Sequence, residues 1–102
     1  LKLDFEQLIG SDSKLSLMTL LIDTKQKPMA RFKSIREMLH KNHIRDYAEF
    51  YSFLYENLDE FPEKSHPEII LAIAESQKSD SFVVDKEINF AALVWKILEV
   101  VS

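Results

Sequence analysis

The sequence predicts an all-α fold, an orthogonal bundle of about five helices. Three observations carry this. A single glycine (Gly10) and three prolines in 102 residues leave little of the turn chemistry that hairpins require. Apolar residues recur at helical spacing in successive stretches separated by short polar breaks, and no strand pair stands out. The last stretch, Asp85 to Val101, would carry its polar residues Asn89, Lys96 and Glu99 on one narrow arc. Phe90, Ala91, Leu93, Val94, Trp95, Ile97, Leu98, Val100 and Val101 fill nearly all the rest of it. An ordinary surface helix needs an apolar stripe only about 100° wide, so this one must be covered on several sides. It is either the central post of a small bundle or shared between the bundle and another subunit.

In chain order, Leu1 to Ile9 contributes a short apolar set (Leu3, Phe5, Leu8, Ile9) that Gly10 would end as a left-handed C-terminal residue. Residues 1–12 read as a connector from a preceding domain and 13–102 as the helical domain. Ser11, Asp12 and Ser13 offer N-caps for a helix through Thr24, with Leu17, Met18, Leu20 and Leu21 on one broad face. Pro28 starts the next helix, where its missing N–H is not needed. That helix runs to about Lys41, with Phe32, Ile35 and Leu39 inward, and Asn42 stops it.

Asp46-Tyr47-Ala48-Glu49 is a capping-box variant opening a helix lined by Tyr47, Phe50, Tyr51, Leu54 and Leu58, with Phe61 on the following turn. Phe53 falls roughly 120° from that stripe, either as a second packing contact or as an oligomer contact. Ser65-His66-Pro67-Glu68 marks a helix start, followed by Ile69 to Ala74 and an end near Lys78-Ser79-Asp80. Phe82, Val83 and Val84 form an extended apolar lead to the last helix, which Asp85 caps.

The net charge of −4 hides a segregation. From Thr24 to Arg45 seven bases face Glu37 alone, a balance of +6; from Asp46 onward twelve acids face four bases, a balance of −8. The basic block would meet phosphate or the acidic surface of a neighbouring molecule. Lys33, Arg36 and His40 recur along one side of their helix, opposite Phe32, Ile35 and Leu39. As a helix-turn-helix the reading helix would be the one from Asp46, whose Glu49, Tyr51, Tyr55 and Glu56 suit base recognition poorly.

Several chemistries find no support. One glycine cannot build a phosphate-cradling loop, and there is no G-x-S-x-G elbow. His40 and His43 straddle a helix end with no cysteine and no second ligand pair, so no metal is expected, nor any cofactor. His66 reads as a capping residue, the acids Asp59, Glu60 and Glu63 as a solvated turn, and Trp95 as core. The longest apolar run, Phe90 to Trp95, is far short of the roughly 20 residues that span a bilayer, so no membrane contact is expected. No secretory signal is visible, and the lack of cysteine suits a reducing, cytoplasmic compartment. The chain begins at Leu1 rather than Met, as a piece of a longer polypeptide would.

From about residue 14 onward the order of features resembles the C-terminal collar domain of sliding-clamp loader ATPase subunits. It looks most like the small subunit of tailed-phage clamp loaders, relatives of replication factor C. The residues that carry the resemblance are Phe32-Lys-Ser-Ile-Arg-Glu-Met-Leu and Asp46-Tyr-Ala-Glu-Phe-Tyr-Ser-Phe-Leu. After them come the Ile69–Ala74 helix and Ile88-Asn-Phe-Ala-Ala-Leu-Val-Trp-Lys-Ile-Leu. The resemblance implies a non-catalytic oligomerisation module that packs side by side with other clamp-loader subunits and holds ATPase modules in a ring. The family's nucleotide-binding loop, acidic Walker B segment and arginine finger have no counterpart here. DNA would be reached only indirectly, through the parent complex, and no small-molecule substrate is implied. Lys33, Arg36, Phe53, Tyr55 and Phe82 are the candidate subunit contacts. Two rivals stand beside this: a stand-alone helical adaptor or antitoxin-like protein, and a phosphate-contacting DNA module using Lys33, Arg36 and Lys41.

Overall fold

The computed structural model of the chain describes residues 5–102, with side chains from Ser13 onward. Five helices follow one another: α1 (Phe5–Ile22), α2 (Pro28–Lys41), α3 (Ala48–Glu56), α4 (His66–Asp80) and α5 (Lys86–Val101). Two single 3-10 turns, Leu58–Glu60 and Glu63–Ser65, link α3 to α4, and no strand occurs among the described residues. The all-α bundle read from the sequence is the fold.

Helix α5 is the post. It packs on α1, α2 and α4, and its Phe90 reaches the aromatic side chains of α3 and its approach. Phe90 stacks on Tyr47 with centroids 4.6 Å apart and receives Phe50 and Tyr51 edge-on at 5.5 and 5.7 Å. Such tilted pairs add to the energy of area burial alone. Phe90, Leu93, Val94, Ile97 and Leu98 are all buried, while Ile88, Ala92, Lys96 and Glu99 leave an exposed stripe. The near-continuous apolar surface of this helix is therefore mostly core, with one strip left open.

The ends are set by local chemistry. Asp85 accepts hydrogen bonds from the backbone N–H groups of Glu87 (3.0 Å) and Ile88 (3.2 Å), as its N-cap position requires. Pro28 and Pro67 occupy the first turns of α2 and α4. The C-terminus of α2 closes as a Schellman motif: His43 N–H donates to His40 O and Ile44 N–H to Leu39 O. His43 sits in the left-handed region at φ 55°, where glycine is the usual residue. That geometry turns Ile44 back onto the core.

Four local expectations change. The break at Gly10 is absent, since α1 runs through it to Ile22; one interior glycine costs only about 1 kcal/mol, which continuation of the helix offsets. Asp46 does accept the Ala48 N–H at 3.0 Å, but Glu49 does not close the box, because Lys14 of α1 draws it away into a 2.6 Å ion pair. His66 does not cap α4 but is its first residue, and Ser65 at the N-cap turns its hydroxyl to Pro62 O. The lead into α5 is not extended throughout: Phe82 and Val83 both donate their N–H to Ser79 O in a turn.

A candidate protein interface

Of the residues expected to contact a neighbour, four are exposed and one is not. Lys33 and Arg36 stand on the outer face of α2, Tyr55 on α3 and Phe82 in the turn before α5. Phe82 is 80% exposed, a large apolar side chain held in water by a short turn. Phe53 instead is half-buried against the core beside α1, so the packing alternative for it holds. Lys33 and Arg36 share α2, Phe53 and Tyr55 share α3, and Phe82 stands in the turn before α5.

Helix α2 carries the basic face. Lys33, Arg36, His40 and Lys41 line a shallow cleft of about 530 Å3 with Glu37 and with Glu87 of α5. The described ion pairs are Lys14–Glu49 and Lys86–Asp80, so none of these cations has a carboxylate partner among the described residues. Arg36 lies over the Phe32 ring at 6.0 Å, and Phe32 meets Trp95 edge-on at 5.5 Å. Trp95 is thus a half-buried cover on the α2–α5 seam rather than deep core.

One member of the basic block has another role. Arg31 is 1% exposed and lies between α1, α2 and the end of α5. Its Nη1 donates to Leu21 O at 2.9 Å and more weakly to Leu20 O at 3.4 Å, while Nη2 donates to Ser102 Oγ at 3.1 Å. The cation satisfies carbonyls that α1 leaves open at its C-terminus, where the helix dipole favours positive charge. Just beyond, Asp23 accepts from Gln26 Nε2 and from Lys25 N–H, both at 3.0 Å, and these bonds hold its carboxyl below the usual range. The surface block therefore counts six bases, and Arg31 is structural.

Between α4 and α5 runs a groove of about 450 Å3 that the sequence did not announce. Leu71, Ala72, Ala92 and Leu93 give it apolar walls; Glu68 and Glu75 stand along its α4 bank. Leu71 is 70% exposed and Ile88, one turn before Ala92, is 67% exposed. Large apolar side chains gathered this way mark binding surfaces more often than scattered ones do. The floor is polar and ordered: Asn89 Nδ2 donates to Ser76 O at 2.9 Å, and Ser76 Oγ to Tyr51 Oη at 3.2 Å. Burial is the main cause that raises the Tyr51 hydroxyl above its ordinary value, with the Asp80 charge acting in the same direction. The missed signal was periodic: Ile69, Ile73 and Ser76 are the buried side of α4, which leaves Leu71 facing out.

His66 Nε2 lies 3.0 Å from Phe61 O, tying the start of α4 to the preceding turn, and His40 lies in the last turn of α2 while His43 stands beyond its end. Among the described residues no three His, Asp or Glu side chains converge as metal ligands, and no helix is long and apolar enough to cross a membrane. Compared with family models, with curated proteins and with solved structures, the chain matches none.

Proposed function

We propose that this chain is a non-catalytic oligomerisation domain, the collar of a sliding-clamp loader subunit, acting in the cytoplasm. It would pack against other subunits of the loader and hold their ATPase modules in a ring, touching DNA only through the complex. Its mechanism is geometric, since fixed contacts between collars give the attached modules a high effective concentration for one another. The observation that carries the reading is the pair of unlike exposed faces on one small bundle, cationic on α2 and apolar with an acidic bank on α4 and α5. A head-to-tail ring needs two such different, complementary patches on each subunit.

The test is mass. Light scattering of the chain, and of the longer polypeptide that carries it, should show species above one copy that grow with concentration. A longer polypeptide that stays monomeric, even with its partner subunit present, would end this reading.

The α4–α5 groove also favours a second reading, a helical adaptor or antitoxin-like protein that captures one partner helix in an apolar channel. That reading expects a one-to-one complex and no self-association.

A further inference from the structure

The basic face of α2 and the groove between α4 and α5 match each other in chemistry and in spacing. On α2, Met29, Lys33, Arg36 and His40 stand at i, i+4, i+7 and i+11, one straight stripe along the helix. Met29 is 54% exposed, and Lys33, Arg36 and His40 are exposed as well. On α4, Glu68, Leu71 and Glu75 stand at i, i+3 and i+7, with Ala92 of α5 across the groove. Each stripe sets an apolar side chain one helical turn from a charge, cationic after Met29 on α2 and acidic after Leu71 on α4, while Lys96 stands on the α5 side of the groove. Met29 is four residues from Lys33, as Leu71 is from Glu75; both separations are about 6 Å along a helix axis.

We infer that the α4–α5 groove of one copy receives the α2 stripe of a second copy. Met29 then packs on Leu71 and Ala92 with the two helices parallel, so that Lys33 faces Glu75 and Arg36 lies one turn beyond it on the same acidic bank. The inference rests on the self-association proposed above and adds which faces meet. What selects a second copy over an unrelated protein is this match: the occupant the groove calls for is a basic helix with an apolar side chain one turn from a lysine. The chain displays such a helix itself, and its cations have no carboxylate partner among the described residues. The two faces lie on different helices, so the contact is heterologous and leaves one face of each kind free for a further copy.

Charge reversal tests it by sedimentation velocity of the 102-residue chain over a wide concentration range. The wild type should associate reversibly, and added salt should weaken the association. E68K/E75K and K33E/R36E should each weaken it by about tenfold or more, since every 1.4 kcal/mol is tenfold. An equimolar mixture of the two variants should regain association, because each reversed face then meets its complement. All four positions are exposed, and far-UV circular dichroism checks that the helices persist; E68Q/E75Q gives a gentler version with the same expected direction. If the reversed variants associate as the wild type does, or if the mixture fails to recover, these faces do not pair, while self-association itself stands. If the wild type remains a monomer throughout, this inference falls, while the proposed function is decided by the mass of the longer polypeptide with its partner subunit.

Discussion

Arg31 and Ser102 are joined across 71 positions of sequence by a 3.1 Å hydrogen bond from the guanidinium to the hydroxyl. The same guanidinium holds the last carbonyls of α1, so a single side chain fastens the first helix, the second helix and the end of the last. Its Nε is buried without a partner. A charge held this way is costly to bury and costlier to lose, because its removal strands acceptors that water cannot reach.

Arg31→Ala should therefore destabilise the bundle by about 3 kcal/mol, the sum of the lost charged hydrogen bonds and a cavity. Arg31→Lys keeps the charge but loses the fork that serves two directions, and should recover less than half of that loss. Urea denaturation measures both. A cost below about 1 kcal/mol for Arg31→Ala would mean that the clamp is idle.

How much of this was legible beforehand follows from the range of each interaction. The starts at Pro28, Pro67 and Asp85 depend on residues within one turn, and the helices begin there. The inward set on α3 and α5 depends on a 3.6-residue period, and Phe50, Leu54, Phe90, Leu93 and Ile97 are buried as that period requires. Arg31 was counted among surface cations because charge alone does not reveal that a helix C-terminus lies 10 positions earlier in chain and directly alongside in space. Glu49 is similar: its partner Lys14 is 35 positions away, and a local capping rule cannot see it. The groove is made by α4 and α5 together, and although the apolar surface of α5 is visible in its own sequence, which neighbour leaves a strip of it open is not.

Tyr47 makes a prediction about alkaline pH. Its ring is buried against Phe90, and its hydroxyl has no partner among the described residues. Burial chiefly, with the charges of Glu87 and Asp85 assisting, pushes this phenol up from an ordinary value near 10 to about 12. The folded chain thus holds a proton that the unfolded chain releases. Stability from this group is complete below pH 10 and falls as pH rises through 12, by about 2 kcal/mol at that point. Tyr51 acts in the same direction. Tyr47→Phe removes a buried hydroxyl that bonds to nothing, so at pH 7 it should be neutral or stabilising by up to about 1 kcal/mol. It should also flatten the alkaline decline, seen as a smaller change in urea midpoint between pH 9 and 11.

His43 holds a left-handed conformation at φ 55° in a position built for glycine. His43→Gly should raise stability by about 0.5–1 kcal/mol, the relief of Cβ crowding less the added freedom of the unfolded chain. His43→Val should cost more than 1 kcal/mol, because branching at Cβ worsens the clash. Thermal melts of the two variants should move in opposite directions.

Gly10 gives a test by sign. Within a continuous α1 its replacement by alanine should stabilise the helix by up to about 1 kcal/mol. At a left-handed helix stop, the same change would destabilise by a comparable amount. The direction of the shift in melting temperature for Gly10→Ala therefore distinguishes one helix from two.

Trp95 lies edge-on to Phe32, half-buried over the α2–α5 seam. Full burial would make Trp95→Ala cost about 3–5 kcal/mol. Partial cover reduces the lost area, and the truncation also removes one aromatic pair, so the expected cost is about 1–2 kcal/mol. Phe32→Ala should cost a similar amount, and the double variant less than the sum, since both remove the same contact. Because Arg36 rests on the opposite side of this pair, the double-mutant cycle also reads how firmly the cationic face of α2 is held. A strictly additive cycle would mean that the two rings touch without supporting each other, and that the orientation of α2 is set by Ile35, Leu39 and Arg31 alone.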